Sequence, residues 1–129
     1  MDERLGKAYK LCSKKVIDDL FKNGHQIKQY PFILQFDYAL LPTKKKFQIV
    51  TSVPKRIHKK AVQRNRIKRL MREVIRKKKH LIEENFSSDE KQLALFLIYT
   101  GKKEESYSLL LNKIEVLFER LMNAEEKSN

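Results

Sequence analysis

The residues of this sequence best suited to chemistry are cations, and they are concentrated in residues 55–79. This stretch holds thirteen Lys and Arg residues and one acid, Glu73, so it carries +12 of the chain's net charge of +13. Guanidinium and ammonium groups at this density attract phosphate-bearing polymers, because each phosphate that is neutralised releases counterions. The stretch therefore predicts binding of a polyanion.

The same stretch has the periodicity of an amphipathic helix. At helical spacing its apolar residues share an arc of about 140°, which is typical of a stripe packed on a core; they are Ile67, Leu70, Met71, Val74, Ile75, Leu81 and Ile82. The opposite side carries Asn65, Arg69, Arg72 and Arg76, flanked by Lys68 and Lys79. Like charges at this spacing destabilise an isolated helix, so the pattern indicates an external anion.

Three other interpretations of a basic helix are less consistent with the letters. A merely solvated face usually mixes Glu with Lys, and this face does not. A membrane-surface helix needs a broad, aromatic-rich apolar face, and a leucine-zipper basic region needs sustained heptads after the basic block. Residues 55–79 contain no such apolar face, and no sustained heptads follow them.

No arrangement of residues predicts an active site in the protein itself. The acidic residues come largely as adjacent pairs, which point in different directions on a helix and are poor metal ligands or acid–base partners; the pairs lie at 18–19, 83–84, 89–90, 104–105 and 125–126. There is no Gly-rich phosphate loop, zinc-binding His pair or nucleophile elbow. Cys12 is the only cysteine and is interpreted as a small buried hydrophobe. We therefore predict no catalytic residue and no protein-bound cofactor.

The letters AVQRNRIKRLMRE at residues 61–73 closely resemble the signature helix of the bacterial ribonuclease P protein subunit, the family with the RNR motif. VPKR at residues 53–56 resembles the basic strand end before that motif, and FKNG at residues 21–24 resembles the end of the family's first helix. The family usually has a Gly shortly before the Ala-Val pair, whereas this chain has His58-Lys59-Lys60. The loop that enters the helix is therefore a variant.

The resemblance implies a protein subunit that assists removal of the 5′ leader from precursor tRNA, with the catalytic centre and its Mg²⁺ in the RNA subunit. It places contacts with the catalytic RNA and with the cleavage region of the substrate on the matching helix residues, Arg64, Asn65, Arg66, Lys68, Arg69, Arg72 and Arg76. Basic residues of the preceding strand end and loop extend this surface: Lys55, Arg56, Lys59 and Lys60. The expected partners are the RNA subunit and precursor tRNA, with no small-molecule substrate.

The resemblance also implies a cleft for the single-stranded leader, between the first helix and the open face of the sheet. The matching positions are Ile17 and Phe21 on the helix and Ile33 and Gln35 on the strand. Stacking and backbone charge would make such a cleft tolerant of leader sequence. By burial preference alone, Ile17 and Phe21 fit a core position equally well.

A different function also fits the basic helix, namely a ribosome-associated or general double-stranded RNA-binding protein that reads duplex shape. Both functions predict strongly salt-dependent binding. Only the ribonuclease P subunit should prefer precursor tRNA to mature tRNA.

The elements before the basic helix must position it. A helix is predicted over residues 13–21, with Ser13 as its N-cap and Gly24 ending it. An extended stretch follows over residues 26–40, where Tyr30, Phe32, Leu34 and Phe36 should face the core and Ile27, Ile33 and Gln35 the other side. Pro31 cannot donate to a ladder, which predicts an edge strand or a bulge. Residues 41–46 form a turn, and residues 47–53 complete a predicted hairpin; the resemblance suggests three strands in this region.

After the basic helix, the unbroken apolar run at residues 93–99 predicts a strand that is central or covered on both faces. A final helix is predicted over residues 107–122, and residues 1–10 and 123–129 are expected to be flexible. The strand–helix–strand order predicts a crossover between parallel strands. The fold is thus α+β, with about four strands and three helices, and the resemblance implies that its crossover is left-handed.

The length of 129 residues predicts one domain spanning residues 1–129. The longest apolar run is far too short to cross a bilayer, and the N-terminus has no apolar signal segment. We therefore expect a cytoplasmic protein without a membrane partner.

Overall fold

The computed structural model describes residues 5–87 and 90–127, with side chains described up to residue 124. A four-stranded sheet has helices packed on both faces. The strands are β1 (His25–Gln29), β2 (Phe32–Ala39), β3 (Phe47–Ser52) and β4 (Gln92–Tyr99). The helices are α1 (Lys14–Asn23), α2 (Ala61–Lys78), the short α3 (His80–Asn85) and α4 (Tyr107–Lys127), preceded by a 3-10 turn at Lys7–Tyr9.

The order of the strands across the sheet is β1-β2-β4-β3. β4 pairs antiparallel with β2 and parallel with β3, so the predicted central position of residues 93–99 is confirmed. The predicted hairpin between β2 and β3 is wrong, because β4 lies between them. A strand that is apolar on both faces gains most from burial at the centre of the sheet, and this gain outweighs the proximity of β2 and β3 along the chain.

The single extended stretch predicted at residues 26–40 is instead a hairpin. Tyr30 and Pro31, joined by a cis peptide bond, form its turn, and Gln29 pairs with Phe32. Pro31 therefore needs no ladder hydrogen bond, and the predicted edge position or bulge is replaced by a turn. The reversal places Ile27 opposite Leu34, and residues directly opposite share a face. Ile27 accordingly points into the core. The prediction that it shares a side with Ile33 is therefore wrong.

Helix α1 has the predicted start and runs two residues beyond the predicted end at Phe21. The Ser13 side chain accepts a hydrogen bond from the backbone N–H of Val16 at 3.3 Å, which satisfies one of the donors at the helix start. Gly24 follows the last turn, where a Cβ atom would collide with the carbonyl oxygen of Leu20. Glycine is therefore required where the chain leaves α1 for β1.

The main core lies between one face of the sheet and helices α2, α3 and α4. The apolar stripe predicted for the basic helix is confirmed: Ile67, Met71, Val74, Ile75 and Ile82 are buried, and Leu70 and Leu81 pack at the margin. The helix begins at Ala61, six residues after the start of the basic stretch, and a break at Lys79 separates α2 from α3.

A second, smaller core lies on the other face of the sheet, under α1; its buried residues are Leu11, Leu20, Leu41 and Ala94. β3, α2 and β4 form the predicted parallel crossover, and its left-handed sense stays a prediction. The predicted flexibility of residues 1–10 and 123–129 stays a prediction, but two observations bear on the described parts of these segments. Tyr9 is buried in the main core, and α4 continues to Lys127 instead of ending at residue 122.

Candidate nucleic-acid interface

The outer face of α2 carries cations that have no partner among the described residues. Asn65, Arg69 and Arg72 are exposed, and Lys68 is half-buried beside them. Their side chains make no hydrogen bond or ion pair with residues 5–87 and 90–127. Three positive charges with no compensating acid on one helix face leave a local field that favours an external anion.

The other three predicted helix residues are held by protein groups. Arg64 Nη1 donates to the carbonyl oxygens of His58 at 2.9 Å and Lys59 at 2.8 Å. Arg66 forms an ion pair with Glu104 at 3.3 Å between Nε and Oε2. Their guanidinium groups therefore position the loops around the start of α2, although Arg66 keeps more than half of its side chain exposed.

Arg76 lies at the far end of the predicted basic face and pairs with Glu73, one turn earlier. The hydrogen bond from the Arg76 guanidinium is the main reason that the pKa of the Glu73 carboxyl is held below its usual range. Only a quarter of the Arg76 side chain is exposed. Arg76 is therefore a weaker candidate for a direct phosphate contact than Arg69 and Arg72.

The loop between β3 and α2 presents the remaining predicted cations. Lys55, Arg56, Lys59 and Lys60 are all exposed. The loop is shaped from inside by His58, which is 1% exposed and whose Nε2 lies 2.7 Å from the carbonyl oxygen of Gly101. From the sequence, His58 was identified only as a departure from the family pattern. Its structural role was missed because the neighbouring residues give no sign of a hydrogen-bond partner 43 residues away.

Tyr99 fixes the other loop at this end of the sheet. Its hydroxyl donates to the carbonyl oxygen of Lys103 at 2.5 Å and accepts from the backbone N–H of Glu105 at 3.1 Å. Burial raises the pKa of the Tyr99 phenol above its usual value. Its ring also lies 5.8 Å from that of His58, so the two buried side chains join both loops beside the start of α2.

The predicted leader cleft lies on the opposite face of the sheet, beside α1. The Phe21 side chain is 55% exposed, and its ring meets that of Phe96 edge-on, with the ring centres 4.9 Å apart. Gln35 lies directly opposite Phe96 across the β2–β4 pair, and Ile33 and its neighbour Ile98 are half-buried. Phe21 is therefore not a core residue, and its ring is available at the surface where the cleft is predicted.

Ile17 has a mixed position, because it packs at the margin of the small core under α1 while remaining partly exposed. Phe96 was missed by the sequence prediction. An unbroken apolar run gives no period-2 signal, so it does not show which residues face the open side of a sheet. In the part of the chain with described side chains, the one buried polar side-chain atom without a hydrogen-bond partner is Gln35 Oε1, at the floor of this cleft.

Among the described residues, no three His, Cys, Asp or Glu side chains are grouped so that they could hold a metal ion.

Cys12 is exposed, so its interpretation as a buried hydrophobe is wrong. Within the described ranges, no helix is both long and apolar enough to span a membrane.

A small α+β fold whose helix α2 presents Arg69 and Arg72 without a partner among the described residues, and whose opposite sheet face carries the exposed Phe21 ring, defines a nucleic-acid-binding module. A family model described as Ribonuclease P matches residues 5–122. The chain therefore belongs to the ribonuclease P protein family, whose members work with an RNA partner in a tRNA-processing ribonuclease complex. No curated protein matches the chain.

Solved structures of this family share the fold. The RNase P protein of Staphylococcus aureus is 22% identical and has a TM-score of 0.67, with 89% of this chain and 96% of that chain covered. The RNase P protein of Thermotoga maritima is 21% identical and has a TM-score of 0.68, with 86% and 96% covered. These matches confirm the predicted α+β architecture with a four-stranded sheet.

Proposed function

We propose that this chain is the protein subunit of ribonuclease P, which binds the catalytic RNA and the 5′ leader of precursor tRNA and assists removal of the leader. The observation that carries the proposal is the exposed face of α2, where Asn65, Arg69 and Arg72 lie on the family's signature helix without an internal anion. A polyanion would supply the negative charge that this face lacks. The sheet and α4 hold the opposite side of the helix, so the face is presented as a rigid surface.

The role of the protein in this proposal is electrostatic and geometric, and the cleavage chemistry belongs to the RNA subunit. Two large RNAs repel each other where they approach, and each phosphate neutralised by the protein strengthens their association. The Mg²⁺ used in cleavage is proposed to be held by RNA. The described residues offer no ligand cluster for it, so we assign no metal-dependent step to this chain. The complex is proposed to work in the bacterial cytoplasm, where precursor tRNA is made.

The cleft supplies contacts that only a precursor can make. Mature tRNA and precursor share the tRNA body, so a difference in affinity requires binding of the leader itself. The exposed ring of Phe21, set against Phe96, offers an apolar surface for stacking of an unpaired base. Base stacking tolerates any base, as a subunit that serves many leaders requires.

The test is reconstitution with a ribonuclease P RNA at low Mg²⁺. The protein should restore leader removal, and the assembled complex should bind precursor tRNA more tightly than mature tRNA. A parallel titration with an unrelated RNA duplex is the control. Equal binding of precursor, mature tRNA and duplex, without stimulated cleavage, would instead identify a general double-stranded RNA-binding protein.

A further inference from the structure

A groove of about 480 Å³ lies between the N-terminal 3-10 turn, the edge of the sheet at β3 and the basic face of α2. None of the site residues predicted from the sequence for the leader cleft lines it. Its lining residues are Leu5, Gly6, Lys7, Tyr9, Lys10, Ile49, Val50, Thr51, Lys68 and Arg72. Four of them are cations and none is an acid.

The N-terminal wall of this groove is firmly held. Tyr9 is 3% exposed, and its hydroxyl donates to Glu83 Oε1 at 3.0 Å. The Lys79 ammonium lies 4.4 Å from the centre of the Tyr9 ring, and the ring of Phe47 packs at 5.2 Å. Immediately after this turn, the backbone N–H of Leu11 donates to the carbonyl oxygen of Ile49 at 3.1 Å. These contacts fix Lys7 and Lys10 at the rim, where both are exposed.

The groove matches the chemistry of one strand of nucleic acid. The lining brings Lys7 and Lys10 of the N-terminal segment together with Lys68 and Arg72 of α2, beside apolar and hydroxyl groups, so a ribose-phosphate chain in the groove would meet cations from two elements. The volume is that of a small-molecule site, about 300–1,000 Å³, which suits a nucleotide or two. A duplex is a poor match, since double-stranded RNA is read over a span of about 16 base pairs, which is far more than a groove of this volume contacts.

The groove adjoins the predicted leader cleft, because its lining residue Val50 lies directly beside Phe96 across the β3–β4 pair. Val50 lines the groove and packs at the margin of the small core together with Ile17 and Phe96, which border the cleft. The edge of β3 therefore separates two surfaces that share a wall. A strand leaving the cleft across this edge would arrive between Lys10 and Arg72, on the way to the outer face of α2.

We propose that the leader of precursor tRNA passes through this groove, with its phosphates held between Lys7 and Lys10 on one wall and Lys68 and Arg72 on the other. The proposal rests on the proposed function. It adds the N-terminal segment to the leader-binding surface, and it commits to the leader instead of the catalytic RNA as the occupant.

The first test is the double variant Lys7→Ala/Lys10→Ala in the assembled complex. Loss of two phosphate contacts should weaken binding of a long-leader precursor by about tenfold and reduce the salt slope of that binding by about 1.4. Affinity for mature tRNA and for the RNA subunit should not change. The control is Lys91→Ala/Lys113→Ala, which removes the same charge from residues that do not line the groove and should leave long-leader binding unchanged.

The second test uses Cys12, the only cysteine, which is exposed and two residues beyond Lys10. A photoactivatable cross-linker attached to Cys12 in the active complex should capture the leader of a bound precursor. Capture of the catalytic RNA alone would overturn the proposal, as would unchanged long-leader affinity in Lys7→Ala/Lys10→Ala. If either result is found while the wild-type complex still cleaves precursor tRNA, the proposed function stands and only the groove proposal fails. If the wild-type protein does not stimulate cleavage by the RNA subunit, both the groove proposal and the proposed function fail.

Discussion

The Phe21 ring lies edge-on to the Phe96 ring, with 4.9 Å between centres and a 65° angle between planes, while more than half of the Phe21 side chain stays exposed. This relationship decides between the two positions that the sequence left open for Phe21. A core phenylalanine is surrounded on all sides, whereas the Phe21 ring packs against Phe96 and is otherwise largely exposed. Its outer face is free to meet another aromatic group.

The first prediction concerns this ring. Replacing Phe21 by Ala should weaken binding of precursor tRNA to the assembled complex by roughly five- to a hundredfold, because one stacked base is worth about 1–3 kcal/mol. Mature tRNA binding should be nearly unchanged, and Ile33→Ala should have a milder effect of the same kind. The two dissociation constants and the free energy of unfolding are the measurements.

The matched control is Leu20→Ala, on the same helix but 2% exposed. Truncating a buried leucine costs about 2–5 kcal/mol of folding free energy, so this variant should lower both affinities together through loss of folded protein. Equal losses for the two tRNAs in a destabilised Phe21→Ala protein would contradict a direct leader contact.

The second prediction concerns the unpaired cations of α2. Reversing Arg69 and Arg72 to Glu should abolish activity of the complex at moderate salt, because attraction for phosphate becomes repulsion. The free energy of unfolding should change by no more than about 0.5 kcal/mol, since both side chains are exposed and have no protein partner among the described residues. The same double reversal at Lys91 and Lys113 is the control for net charge and should keep activity. An unfolded Arg69→Glu/Arg72→Glu protein would contradict the assignment of this face.

The third prediction concerns Tyr99 and alkaline pH. Burial raises the pKa of its phenol, so the fold favours the neutral form. The resulting contribution to the free energy of unfolding is fully present below the ordinary tyrosine pKa of about 10. It is lost as the pH rises through the raised pKa of Tyr99 in the folded protein. Tyr99→Phe should cost about 1 kcal/mol of unfolding free energy near neutral pH, through the lost hydroxyl hydrogen bonds.

The difference in unfolding free energy between wild type and Tyr99→Phe should then shrink above pH 10. Chemical denaturation at pH 8 and pH 11 measures it. A difference of the same size at both pH values would show that ionisation of Tyr99 is not linked to folding.

The fourth prediction concerns His58. Its side chain is buried and hydrogen-bonded to Gly101, so His58→Ala should leave that carbonyl oxygen without its partner and cost about 1–3 kcal/mol. The loop with Lys59 and Lys60 should lose order, which hydrogen exchange of its amides would detect. His58→Gln keeps a donor and should recover part of the loss. If exchange in residues 54–60 is the same in wild type and His58→Ala, the loop does not depend on this contact.

The fifth prediction is that protein freed of RNA does not cleave precursor tRNA at any Mg²⁺ concentration. The sequence predicts no acid–base pair, and the described residues include no group of three potential metal ligands. Gel analysis of end-labelled precursor, with nuclease-treated protein and with the reconstituted complex as a positive control, measures this. Leader removal by the RNA-free protein would contradict the assignment of catalysis to RNA.

The basic helix and its orientation were determined by the sequence alone, because they depend on local periodicity. The arc that contains Ile67, Met71 and Val74 had to be buried, and this placed Arg69 and Arg72 on the solvent side in any fold that covers the stripe. The residue types at 61–73 also carried the resemblance to the family. The start of α1 at Ser13 was predictable for the same reason, since capping is a local interaction.

Which of the cations remain available was decided only by the tertiary structure. Arg64, Arg66 and Arg72 look alike in sequence, but Arg64 is bonded to two loop carbonyls, Arg66 is paired with Glu104, and Arg72 has no partner in the described part of the chain. Those partners are brought in by the return of the chain through the β4–α4 loop and by the fold of the entry loop. Spacing along one helix contains no information about them.

The strand order, the cleft and the groove were likewise decided by long-range packing. The turn at Pro31 moved Ile27 to the core face, and the insertion of β4 between β2 and β3 brought Phe96 beside Phe21. Burial of Tyr9 against Phe47 tied the N-terminal segment to the edge of the sheet. Each of these contacts joins residues far apart in the chain, so its free energy depends on the whole assembled core and not on any local pattern of residues.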